Sequence, residues 1–151
     1  MLETAIKKFV RLALRSLLEH LEDDSPVNKW AGLGGDSYKI VSLGRPAIFL
    51  LPSHKLRTQM GDETVEQYLH RFLTENFGAF TTTTVPYFGF WRNNRGRMDY
   101  DECRRYEVSF KGKENIPLLL EVLAKIATTI EEDCIYFKAG QYTCLVYPNH
   151  A

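Results

Sequence analysis

The 151-residue sequence has no surplus of charge: 19 Lys and Arg stand against 19 Asp and Glu. That balance excludes a polybasic nucleic-acid binder working by bulk attraction to phosphate and a highly charged disordered tail. Cysteine is scarce and odd in number. Cys103, Cys134 and Cys144 form no CxxC pair, which excludes a disulfide framework and argues against a zinc knuckle. Cys134 and Cys144 fall in apolar, strand-like segments and are expected to be buried thiols. Uninterrupted hydrophobic runs are missing as well. Residues 2–22 carry Leu2, Ile6, Phe9, Val10, Leu14, Leu17 and Leu21, but Lys7, Lys8, Arg11, Arg15 and Glu19 interrupt them and no A-x-A site follows. The pattern predicts neither a signal peptide nor a membrane span, and a cytoplasmic location is expected.

Signatures of familiar chemistry are absent too. There is no GxSxG, no HExxH and no GxGxxG at a strand–helix turn. Gly34-Gly35-Asp36-Ser37 lacks the Lys of a phosphate-binding loop and precedes a strand-like run. Among four histidines no H-x-T/S repeat occurs, which disfavours a two-histidine phosphodiesterase. Asp99, Asp101 and Glu102 are too few for a calcium loop. No metal or cofactor is expected.

What the chain has in excess is aromatic rings: nine Phe, eight Tyr and two Trp. Their distribution follows the predicted elements. Apolar spacing over residues 2–22 predicts an amphipathic helix spanning 1–24. Tyr38–Leu43 and Ala47–Leu51 read as strands, with Gly44-Arg45-Pro46 as a hairpin turn. Thr64 and Gln67 form a capping-box pattern ahead of the stripe Val65, Tyr68, Leu69, Phe72 and Leu73, and Gly78 suits the end of that helix. Phe80–Trp91 reads as one long strand, with Pro86 marking an edge or a bulge. Residues 103–111 alternate, Tyr106, Val108 and Phe110 on one face and Arg105, Glu107 and Ser109 on the other. A helix over 115–130 carries Leu119, Val122, Leu123, Ile126 and Ile130. Residues 134–138 and 142–147 close the chain as two strands around Ala139-Gly140-Gln141.

From residue 47 the order is β-α-β-β-α-β plus one strand. This predicts a single α+β domain over 1–151 with a ferredoxin-like βαββαβ antiparallel core at 38–148. To that core are added the N-terminal helix, a preceding strand and a C-terminal strand.

Gly89-Phe90-Trp91, the turn Arg95-Gly96-Arg97, Glu102, the apolar strand 106–110 and the segment Phe137–Val146 with Gln141 resemble a bacterial family of small ferredoxin-like domains of unestablished function. The resemblance spans about residues 45–147. It implies the same topology and carries over no catalytic residue.

The richest segment for function is 87–107, where Tyr87, Phe88, Phe90, Trp91 and Tyr100 stand among Arg92, Arg95, Arg97, Arg104 and Arg105. Rings offer stacking and guanidinium groups offer an anion-binding fork. One arrangement places Phe88 and Phe90 against the helices, with Tyr87 and Trp91 under the N-terminal helix. The candidate ligand- or partner-binding set is Tyr87, Trp91, Arg92, Arg104, Arg105, Glu107 and His54, with no catalytic residue assigned. The first reading is a non-catalytic binding or assembly module, with a homodimer or another protein as partner. The alternative is a small enzyme acting on an anionic or aromatic substrate, in which Arg92, Arg104 and Arg105 hold the anion and Glu107, Asp101 or His54 moves protons. It requires His54 and Glu107 to share a cleft. Single-stranded nucleic-acid binding ranks third, because an RRM consensus is missing and carboxylates cancel much of the field.

Overall fold

The computed structural model describes residues 32–140, 142–146 and 148, with backbone alone for 142–146. The helix expected over 1–24 lies outside the described residues. The chain divides into two units, residues 1–42 and 43–151.

In the second unit β1 (Arg45–Pro52) alternates, and Ala47, Phe49 and Leu51 are buried. A short 3-10 turn (Ser53–Lys55) and a two-residue hairpin, β2 (Gln59–Met60) with β3 (Glu63–Thr64), lead into α1 (Val65–Phe77). The helix begins where the sequence places it. The Thr64 hydroxyl accepts from the Gln67 N–H, and the Gln67 side chain accepts from the Thr64 N–H, so two of the unpaired donors at the helix start are satisfied. It stops at Gly78, which takes the left-handed conformation (φ 78°) that costs little without a Cβ.

The strand expected over 80–91 is broken in two. β4 (Thr81–Thr82) and β5 (Tyr87–Arg92) pair with different stretches of the 13-residue β6 (Met98–Phe110), and the interruption contains Pro86. Proline has no N–H to give a ladder, so it is accommodated between the two pieces on the sheet edge. α2 (Asn115–Thr129), β7 (Ile135–Ala139) and β8 (Tyr142–Val146) complete the chain.

The six-stranded sheet is antiparallel throughout. Its order is β4–β6–β1–β7–β8, with β5 beside the N-terminal half of β6. Phe49 lies opposite both Tyr106 and Phe137, and Ala47 opposite Val108, so these side chains share one face. On that face both helices close a single core. Val65, Leu69, Phe72 and Leu73 of α1 and Leu119, Val122, Leu123, Ile126 and Ala127 of α2 are buried in it. The other face shows Ile48, Leu50, Arg105, Glu107, Tyr136 and Lys138, none of them buried. Gly44 enters β1 at φ 88°, with the Phe110 backbone where a Cβ would stand, so this close approach of two chain segments requires glycine.

The preceding strand is corrected. Residues 39–43 have no regular structure, and Tyr38 makes an isolated bridge to Gly35 while its hydroxyl donates to the Leu33 carbonyl at 2.8 Å. The expected hairpin with β1 cannot form, because β6 and β7 already occupy both edges of β1. Strand-like composition yields a strand only where a partner edge is free. Cys134, expected buried, is half-buried. Cys144 stands opposite Phe137 in the β7–β8 ladder, so the hairpin does not pair it with Cys134.

Candidate functional site

Two features converge at the β4 edge of the sheet. The first is a cluster of ionisable side chains joining α1 to β6. Glu66 and His70 lie one turn apart on α1, beside its apolar stripe. Arg104 and Tyr106 are two apart on β6 and therefore project to the same face. The Arg104 guanidinium donates to the Glu66 carboxylate. The Tyr106 hydroxyl is 3.1 Å from His70 Nε2, and His70 Nε2 is 4.0 Å from Glu66. The His70 ring packs on Phe80 with centroids 4.7 Å apart, and Phe49 stacks on Tyr106 at 5.3 Å. Tyr106 is fully buried, whereas the side chains of Glu66, His70 and Arg104 are each about one-third exposed. The cluster is thus anchored in the core and open at one side.

Burial sets the protonation states. It lowers the His70 pKa below its ordinary 6.5, an effect opposed by Glu66 and reinforced by Arg104, so the imidazole is neutral at pH 7. Burial also raises the Tyr106 phenol, against the pull of Arg104, and keeps the hydroxyl protonated. For Arg104 burial acts downward, but the Tyr106 and Glu66 contacts outweigh it and the guanidinium stays charged. A carboxylate, a neutral imidazole, a protonated phenol and a fixed cation therefore stand within one contact network.

The second feature is a shallow, open hollow of about 680 Å³, lined by Thr82, Thr83, Thr84, Val85, Pro86, Tyr87 and Phe88. Thr82 connects the two. It lines the hollow, its hydroxyl donates to the Arg105 carbonyl at 3.0 Å, and it stands directly opposite Tyr106 in the β4–β6 ladder.

The residues singled out from sequence are dispersed. Arg104 belongs to the cluster and Tyr87 to the hollow. Arg105 projects to the opposite face of β6, where its guanidinium donates to Glu107. His54 is exposed in the 3-10 turn. Glu107 stands opposite Ile48, while His54 lies beyond the end of β1 in the 3-10 turn, roughly 17 Å further along the chain path, so the two share no cleft. Arg92 and Trp91 lie at the far end of β5, opposite Met98 and Asp99. Phe88 and Phe90 are on the helix side of the sheet but 56% and 67% exposed, so neither α1 nor α2 covers them. Tyr87 and Trp91, on the other side, are 45% and 43% exposed. β5 and residues 98–103 form a two-stranded ribbon, with Tyr100 packed against both Phe88 and Phe90. At its tip the Asn93 side chain accepts from the Arg95 and Arg97 N–H groups and donates to Asp99.

Glu66, His70, Tyr106 and Thr82 escaped the sequence reading. The signal was a Glu and a His at i and i+4 on the flank of a helical stripe, facing an Arg and a Tyr at i and i+2 on a strand. Cys103 is not a rival nucleophile: burial and the nearby Asp101 push its thiol up to about 11. Among the described residues no group of three His, Cys, Asp or Glu side chains could hold a metal ion, and no helix is long and apolar enough to cross a membrane.

No protein-family model matches the chain, and no curated protein matches it. Two solved structures do. One is a phage SAM lyase in complex with S-methyl-5'-thioadenosine, at 11% identity over 75% of this chain and 96% of that one, with a TM-score of 0.47. The other is a phage SAM lyase in its apo state, at 9% identity over 76% of this chain and 98% of that one, with a TM-score of 0.51. The comparison corrects the first reading of the sequence, a non-catalytic binding or assembly module using the aromatic, Arg-rich sheet face and hairpin: the fold is shared with an enzyme.

Proposed function

We propose that the chain is a small enzyme acting on an anionic or aromatic small molecule, with Glu66, His70, Arg104 and Tyr106 as its reaction centre and the Thr82–Phe88 hollow as the adjoining binding surface. The observation that carries this reading is the position of Thr82, which lines the hollow and stands opposite Tyr106 in the β4–β6 ladder. A molecule resting on Tyr87 and Phe88 would extend toward the one-third exposed Glu66 carboxylate, able to take a proton, beside an imidazole that the buried Tyr106 hydroxyl holds in place. Arg104 fixes the Glu66 carboxylate and offers a cation to a substrate anion. The strand order supports a ferredoxin-like βαββαβ core, in which helices following β1 and β6 leave this sheet edge open.

The structural neighbour supplies the first probes. The full chain is titrated with S-methyl-5'-thioadenosine by calorimetry and incubated with S-adenosylmethionine, with products followed by chromatography. A panel of anionic aromatic metabolites follows. Turnover is expected for at least one, and Glu66→Gln and Tyr106→Phe should each lower it by about 10²- to 10⁴-fold without changing far-UV circular dichroism. Turnover that survives both substitutions, or a panel with neither binding nor turnover, would overturn the assignment.

A further inference from the structure

The ribbon presents an edge that the reaction centre does not use. β5 pairs with β6 on one side, and among the described residues no strand pairs with its other side. Natural sheet edges are usually blunted by charges, bulges or inward-pointing lysines. Here residues 87–91 read Tyr-Phe-Gly-Phe-Trp, with no charge between Pro86 and Arg92. The pattern of rings is symmetric about Gly89.

We propose that β5 pairs antiparallel with the β5 of a second copy of this chain, about a twofold axis through Gly89. Residues directly opposite each other on antiparallel strands project to the same face. In the register centred on Gly89, Phe88 faces the second copy's Phe90 and Tyr87 faces its Trp91. Every cross-strand pair flanking the axis is then ring on ring, the kind of pair that stabilises sheets. Gly89 meets its own symmetry mate, where two backbones approach without a side chain between them. A slip of one residue would set the Phe88/Phe90 face against the face that carries Asp99 and Asp101. A slip of two would leave rings opposite Gly89 and either Arg92 or Pro86 opposite a Phe. Only the centred register matches rings throughout.

The exposed area agrees with such an interface. Phe88, Phe90, Tyr100 and Met98 are 56–68% exposed on one side of the ribbon, with Tyr87 and Trp91 nearly half exposed on the other. At about 150–250 Å² for a fully covered ring, the four side chains on the helix side alone leave roughly 400 Å² of mostly apolar surface. That is a patch of the size that marks contact sites, and about half of what each partner contributes to a standard interface of roughly 800 Å² a side. The seam shares Tyr87 and Phe88 with the proposed binding hollow, but its tests read mass and cross-linking and need no turnover, so the two readings fail separately.

Light scattering after size exclusion of the full chain should give twice the chain mass, falling to one chain on dilution. Phe90→Glu, at a two-thirds exposed position, should leave circular dichroism unchanged and weaken self-association by at least about thirtyfold. Gly89→Cys meets open space within the chain. Under mild oxidation it should form an intermolecular disulfide faster than Phe88→Cys, whose own symmetry mate is two register positions away. A single-chain mass for the unaltered protein, self-association indifferent to Phe90→Glu, or equal cross-linking at positions 88 and 89 would each overturn the proposal.

Discussion

Glu131 is the one non-glycine residue with positive φ among the described residues, at 57°. It ends α2 where helices usually place glycine. The Glu132 N–H donates to the Ala127 carbonyl and the Glu131 N–H to the Thr128 carbonyl, the paired bonds of a Schellman turn. The exposed Glu131 side chain is not what holds this turn. Its carbonyl accepts from Lys55, which also pairs with the Glu132 carboxylate, and both contacts survive replacement of the side chain. A left-handed L-residue costs about 1–2 kcal/mol, offset in part by the larger unfolded-state entropy of glycine. Glu131→Gly should therefore stabilise the fold by about 0.5–1 kcal/mol, read as a higher urea midpoint with an unchanged m-value.

At the scale of elements, local chemistry was legible and pairing was not. Thr64 with Gln67, the stripe Val65-Leu69-Phe72-Leu73 and Gly78 state where α1 starts, which side it buries and where it ends, because capping and periodicity are properties of neighbouring residues. Thr64→Ala removes the box and should cost about 1 kcal/mol of stability, checked by chemical denaturation; Thr64→Ser should retain most of it. The alternation at 106–110 likewise revealed a strand with one buried face. The run 38–43 has the same apolar character and forms no strand, since strand formation depends on a free edge that the segment itself does not encode. The break at Pro86 was visible as a proline, but not as two pieces pairing with separate stretches of β6. The candidate reaction centre was hidden for the same reason. Glu66 and Arg104 are 38 residues apart, and only the β1–β6 pairing brings α1 over that stretch of β6. Arg104 and Arg105 look equivalent in sequence, yet the two-residue period of a strand sends them to opposite faces.

For the whole molecule, the half-buried cluster couples stability to pH. The His70 pKa is lower in the folded protein than the 6.5 it has when unfolded, mainly through burial, so the unfolded chain binds the proton more tightly. The stability that a neutral His70 contributes is complete above pH 6.5 and is lost as pH falls through the depressed folded value. The Tm of the unaltered protein should drop more steeply as pH falls below 6.5 than that of His70→Gln. Parallel curves for the two would show that His70 does not titrate with unfolding.

The length of β6 has a consequence for how the chain finds this structure. Its C-terminal half pairs with β1 across more than about fifty residues of intervening chain, and contacts so distant in sequence are slow to close. Its N-terminal half pairs with β5 around the Asn93–Arg97 turn, a contact that forms on the microsecond scale. Once that hairpin has zipped, the segment still to be looped back to β1 is shorter by the length of β5 and its turn, and the entropy of closure falls with it. The ribbon is then an early folding event that carries Arg104 and Tyr106 toward Phe49 and Leu51 on a strand already made.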